Sequence, residues 1–144
     1  AEFNITVDEN LKTTRVDRDD MITIFSNLFS NAIDSVASVK HGKIDVSIVN
    51  YYGNPKDLEG KKKRYICLSV TDNGSGIDDR ILDKIFDPFF TTKDPGKGTG
   101  LGLSMVYAII KEHEGEIKVE TKCSRGTNIR IYLPAMKQSQ QLKA

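Results

Sequence analysis

The sequence predicts a two-layer α/β domain: a mixed, largely antiparallel five-stranded sheet with three helices on one face. Three observations carry that expectation. Residues 3–7, 44–49, 65–72, 116–122 and 127–133 alternate or run apolar as strands do. Residues 20–39 and 103–113 keep helical spacing, and a short helix is expected over 78–85. The chain has 144 residues, the length of one domain and large enough for a proper core. Residues 1–134 are therefore expected to form one domain, with 135–144 as a frayed, disordered tail.

Taken in order, Phe3 to Val7 reads as a strand, and residues 8–14 as a polar turn. Asp17 or Asp19 can cap the helix that follows. Its apolar residues are Met21, Phe25, Leu28, Phe29, Ala32, Ile33 and Val36. Its other face carries Asp20, Thr23, Asn27, Ser30, Asn31, Asp34 and Ser38 on one stripe. Between Met21 and Val39 the only charged residue is Asp34, whereas a solvated face is usually rich in Lys and Glu. A stripe of amides and hydroxyls points into a site, the alternative being plain surface cover. Asn27 and Asn31 are i,i+4 neighbours, and neutral oxygens suit a hard cation such as Mg²⁺.

A strand from Ile44 leads to a loop over residues 50–64, with the basic run Lys61-Lys62-Lys63-Arg64 read as a solvated hairpin tip. In the next strand Ile66, Leu68, Val70 and Asp72 share parity, so the carboxylate faces inward. Burying it requires partners. Asp72-Asn73-Gly74-Ser75-Gly76 allows two readings: the carboxylate meets an exocyclic amine such as adenine N6, or it bonds its own loop amides. Thr127 has the same inward parity in the last strand.

Phe86-Asp87-Pro88-Phe89-Phe90 precedes a polar loop and reads as the anchor of a lid, with Phe86 itself expected in the core. In Gly96-Lys97-Gly98-Thr99-Gly100-Leu101-Gly102-Leu103-Ser104, glycines alternate and then a helix begins. That helix presents Leu103, Val106, Tyr107 and Ile110 on one face, and Gly115 is expected to end it. A glycine loop opening onto a helix start is an anion site, the usual anion being a polyphosphate; the alternative is a flexible loop. The Walker and dinucleotide patterns and the eukaryotic kinase signatures are all absent, so the loop belongs to a different class.

A net charge of +1 at pH 7 gives no support for nucleic-acid or membrane-surface binding. No apolar run approaches ~18 residues, and no signal peptide is visible. Cys67, Cys123, His41 and His113 lack zinc spacing, which leaves two structural thiols in a cytosolic domain. The chain reads as a piece of a longer protein.

Five motifs in this order resemble those of the catalytic, ATP-binding domain of bacterial sensor histidine kinases, over about residues 3–134. Asn27-Leu28-Phe29-Ser30-Asn31-Ala32 is similar to the N box, residues 72–76 to the first glycine box, and Phe86-Asp87-Pro88-Phe89 to the F box. Gly96 to Leu103 is similar to the second glycine box, and Gly126-Thr127 to the closing motif.

The resemblance implies the Bergerat ATP-binding fold with ATP and Mg²⁺ as cofactors. It implies Mg²⁺ at Asn31, with Asn27 near the phosphates, and adenine read by Asp72 with Thr127. Phosphate contacts would come from Gly98, Gly100 and Gly102, and charge neutralisation from Lys93 and Lys97. Asp34, Gly74, Gly76, Ile77, Phe86, Thr99, Leu101 and Leu103 would complete the ATP site. It also implies that the phosphoacceptor histidine stands on a separate helical hairpin, because neither His41 nor His113 has its context. The partners would be the protein's own dimerisation and histidine-phosphotransfer domain and a response-regulator receiver domain. No direct membrane contact by this domain is expected, although the parent is expected to be anchored in the inner membrane. The alternatives are an anti-sigma-type serine kinase, a conformational ATPase of the same fold, or a nucleotide sensor without catalysis. The phenylalanine box argues against the conformational ATPase, and the intact boxes argue against the sensor.

Overall fold

The pattern of residues 65–72 becomes the central strand of the sheet. The computed structural model describes residues 1–56, 60–88, 102–122 and 124–136. In chain order the elements are β1 (Glu2–Val7), α1 (Arg18–Val36), β2 (Lys43–Gly53), β3 (Lys63–Asp72), a 3-10 helix (Asp79–Lys84), α2 (Gly102–Glu112), β4 (Glu116–Lys122) and β5 (Gly126–Pro134). The sheet order is β1-β2-β3-β5-β4. β1 is parallel to β2, and the other neighbours are antiparallel. A parallel pair needs a long crossover, and α1 with its flanking turns provides it.

Strand parity and helical spacing meet in one core. Ile44 and Val46 of β2, Leu68 and Val70 of β3, and Ile129, Ile131 and Leu133 of β5 face α1 and α2. α1 contributes Ile24, Leu28, Ala32 and Val36, one line at i,i+4 spacing, and α2 contributes Val106 and Ile110. Phe25 and Phe29 pack beside that line with ring centroids 5.5 Å apart. Fully buried aliphatics such as Leu28 each cost about 2–5 kcal/mol when cut to Ala. The edge strand β1 lies outside this core, with Phe3, Ile5 and Val7 exposed.

Several boundaries differ from the sequence reading, and four of the elements show why. α1 begins at Arg18 and ends at Val36, three residues short of the expected Val39, because Ala37 N–H bonds Asp34 O and Val39 N–H bonds Val36 O in tighter turns. Asp17 stands at the N-cap without a side-chain cap bond, and Asp19 and Asp20 lie in the first turn, where they favour the positive helix end. β2 and β3 extend beyond expectation, pairing out to Gly53 and Lys63, so the connecting loop is shorter than residues 50–64. The reason lies on the other sheet face, where Tyr65, Cys67 and Tyr132 are buried against Val49 and Tyr51.

The fourth difference is the end of α2. Gly115 N–H bonds Ile110 O at 2.8 Å and Glu114 N–H bonds Lys111 O at 3.1 Å, the double closure of a Schellman turn. The left-handed residue there is Glu114, at φ 59°, not the glycine. Gly115 is required for another reason, since a Cβ would overlap the Tyr132 carbonyl oxygen.

Candidate functional site

The inward parity of Asp72 and Thr127 places them opposite one another across β3 and β5, each more than nine-tenths buried. Two donors meet the carboxylate at one oxygen. Gly74 N–H donates to Asp72 Oδ1 at 2.9 Å, and Ser35 Oγ of α1 donates to the same atom at 3.0 Å. The self-bonded turn therefore forms, and it occupies one oxygen only. No described residue bonds Oδ2.

The loop after Asp72 is stitched to its surroundings. Ser75 N–H donates to Ser35 O at 3.2 Å, and a Cβ on Gly74 would overlap Ser35 Oγ and its carbonyl. Asn73 clamps the turn before β2: its Nδ2 donates to His41 O at 2.9 Å, and its Oδ1 accepts from Lys43 N–H at 2.7 Å. Ser124 N–H, in the β4–β5 turn, donates to Ser75 O at 2.6 Å. At the start of β5, Gly126 has φ 114°, and a Cβ there would overlap the Asp72 carbonyl. Only glycine allows that approach.

Thr121 of β4 joins the far side. Its Oγ1 accepts from Ile77 N–H at 2.8 Å, and stands 3.0 Å from Thr127 Oγ1 and 3.1 Å from Gly126 O. A hydroxyl has one proton, so it donates to Gly126 O or to Thr127, not both. Gly76 at φ 71° turns the chain towards Ile77. Arg80 then holds the exposed Asp78 carboxyl down at about 2 by hydrogen bonds to its side chain.

Along α1, Asn27 Nδ2 donates back to Thr23 O at 2.7 Å. That fixes the amide with Oδ1 towards α2, where a Cβ on Gly102 would lie only 2.8 Å from it. Thus Asn27 on α1's amide stripe and Gly102, the first residue of α2, lie close together. Asn31 is half-buried one turn further along, and Asp34 is exposed. Leu103 packs against the core, and Phe86 lies 5.1 Å from the Tyr107 ring. Phe89, Phe90, Lys93, Lys97, Gly98, Thr99, Gly100, Leu101, Cys123 and the tail beyond 136 lie outside the described residues. Sequence reasoning missed Ser35, Asn73 and Thr121 as parts of the site. Thr121 alone carried a signal, its inward parity.

A family model described as "Histidine kinase-, DNA gyrase B-, and HSP90-like ATPase" matches residues 16–137, which span every element from α1 to β5. The chain belongs to this ATPase family. Sensor kinase CckA of Brucella abortus is 53% identical over 72 residues, covering 50% of this chain and 8% of that protein. Sensor histidine kinase ZraS of Escherichia coli is 34% identical over 133 residues, covering 92% of this chain and 25% of ZraS. The chain thus spans a quarter or less of these relatives. Among solved structures, the catalytic domain of histidine kinase ThkA superposes with a TM-score of 0.73 at 31% identity, covering 94% of this chain and 81% of that one. The five-stranded mixed sheet with helices on one face is the architecture that this ATPase domain shares with histidine kinase catalytic domains. Among its described residues no helix is long and apolar enough to cross a membrane.

Proposed function

We propose that this domain binds Mg·ATP and donates the γ-phosphate to a histidine on the dimerisation and phosphoacceptor domain of its own sensor kinase. One observation carries the nucleotide reading: a buried carboxylate, Asp72, has one oxygen committed to the fold and the other unbonded among the described residues, across the strand pair from Thr127. Oδ2 accepts from the adenine amine, and Thr127 bonds the base directly or through water. The family match and the likeness to histidine kinase catalytic domains support the choice of donor and acceptor.

The phosphate end lies at the meeting of α1 and α2. Asn27 Oδ1 faces Gly102 at the start of α2, a helix start suited to phosphate, and by the family resemblance Gly98 and Gly100 would add backbone N–H groups. Mg²⁺ takes oxygen ligands and keeps several waters. The neutral amide oxygens on this stripe would suit it, and Asn31 would hold it. When bound, Mg²⁺ would neutralise phosphate charge, and Lys93 and Lys97 would add to that. The protein's part is to orient the triphosphate and hold charge away from water, which is most of what phosphoryl transfer requires.

Neither histidine of this chain is the acceptor. His41 lies in the turn clamped by Asn73, and the His113 ring Nδ1 is held 2.8 Å from Ile109 O at the end of α2. Phe89 and Phe90 are the candidates for docking the acceptor domain. In a transfer assay with γ-labelled ATP, the chain alone should stay unlabelled, and the parent's histidine hairpin, when added, should take acid-labile label. Acid-stable labelling of the chain alone would replace the histidine reading with a serine or threonine kinase.

A further inference from the structure

We propose that Ser35 is a positioning residue for base recognition, acting through Asp72; the inference rests on the nucleotide reading above. α1 serves both ends of the site. Asn27 and Asn31 belong to its phosphate end, and Ser35 follows Asn31 by one turn, about 6 Å along the axis. Ser35 Oγ donates to Asp72 Oδ1 at 3.0 Å, and the Gly74 amide donates to the same oxygen at 2.9 Å. These two bonds occupy Oδ1 and fix the carboxylate rotamer, so that Oδ2, which no described residue bonds, is the carboxylate oxygen left for a ligand N–H. The Ser35 carbonyl meanwhile accepts from Ser75 N–H at 3.2 Å, and the contact with Gly74 leaves no room for a side chain there. One serine thus sets both the orientation of the base-reading carboxylate and the distance of its loop from the helix that carries the amides.

A residue that merely docked the loop would affect every nucleotide alike. A residue that orients Asp72 affects only ligands whose amine uses Asp72. The test is calorimetric titration of the 144-residue chain, as wild type, Ser35→Ala, Asp72→Asn and the double variant. Each is titrated with ADP and with purine riboside diphosphate, which lacks the exocyclic amine. Alanine is the best helix former, so the exchange does not weaken α1, and thermal melting checks this. Ser35→Ala should raise the ADP Kd about 3- to 10-fold, the scale of one ordinary hydrogen bond, because Ser35 acts on the base only through Asp72. It should leave the affinity for the amine-free ligand unchanged, and it should have no further effect in the Asp72→Asn background. Equal weakening for both ligands, no weakening, or an effect that persists without the Asp72 carboxylate would overturn the role of Ser35 while leaving the nucleotide site standing. If wild type takes up neither nucleotide, the site reading itself falls, and this inference with it.

Discussion

β3 and β5 carry two buried clusters, at opposite ends and on opposite faces. One is Asp72 facing Thr127 under the helices; the other is Cys67 facing Tyr132, with Tyr65 and Tyr51 around them. The tyrosine cluster closes on itself. Tyr51 meets Tyr132 edge-on at 4.9 Å, and Tyr65 meets it at 6.3 Å. Burial pushes the Cys67 thiol and the Tyr132 phenol above their ordinary values, as expected of groups taken from water to pack. The polar pair is held differently, by hydrogen bonds with α1, the β3 loop and β4, and no described residue bonds the second oxygen of the carboxylate. Area suffices to build the first cluster. The second needs partners brought from three places in the chain, and that need is what makes it a site.

The contrast predicts different losses when each end is cut. Tyr132→Ala should destabilise the fold by about 3–5 kcal/mol, as large aromatic truncations do, measured by urea unfolding. Nucleotide affinity of the fraction that stays folded should not change, and a parallel fall in affinity would break the distinction. Asp72→Asn should instead lower nucleotide affinity by about 1.5–3 kcal/mol through loss of a charge-assisted bond. Equal Kd values for variant and wild type by calorimetry would remove Asp72 from base recognition.

A smaller effect belongs to Glu116, which pairs with Tyr132 across β4 and β5. Burial raises its carboxyl, but hydrogen bonds from Lys111 at 2.9 Å and Lys56 at 3.1 Å outweigh that and hold the pKa below the ordinary glutamate value. A depressed folded pKa means that the unfolded state binds more protons. The contribution is therefore present above about pH 4.3 and is lost as pH falls through the folded value. Lys56 is largely exposed, so screening keeps the contribution below about 1 kcal/mol. Glu116→Gln should flatten the acid limb of the stability profile, and an unchanged slope below pH ~4.3 would show that the pair does not act. The smallest change is Glu114→Gly. Relief of a left-handed non-glycine residue, less the added chain entropy of glycine, should raise stability by about 0.5 kcal/mol in the same urea assay. A loss would give the Glu114 side chain a role of its own.

Much of this was legible in the residues. Parity placed Asp72 and Thr127 inward on one sheet face, and they stand opposite each other. The charge-poor stripe marked Asn27, which meets Gly102 at the start of α2. The tyrosine cluster was hidden because Tyr65 and Cys67 alternate with a stronger apolar row, so their face read as outward; only pairing with β5 brings Tyr132 to cover them. Gly115 misled for a similar reason. A glycine after a helix suggests positive φ, yet here it answers to the Tyr132 carbonyl, and Glu114 takes the left-handed turn.

By itself the sequence determined which elements form, which strand row faces the helices and which residue types gather near the turns, because period, capping and turn chemistry act over a few residues. Tertiary structure decided how the polar groups are satisfied. Ser35 is a small residue on a helix with no local mark of importance; 37 positions separate it from the carboxylate it bonds. Thr121 reaches Ile77 over 44 positions. A hydrogen bond requires about 3 Å and alignment, and no periodicity carries that information until the sheet, the helix and the loop have been packed against one another.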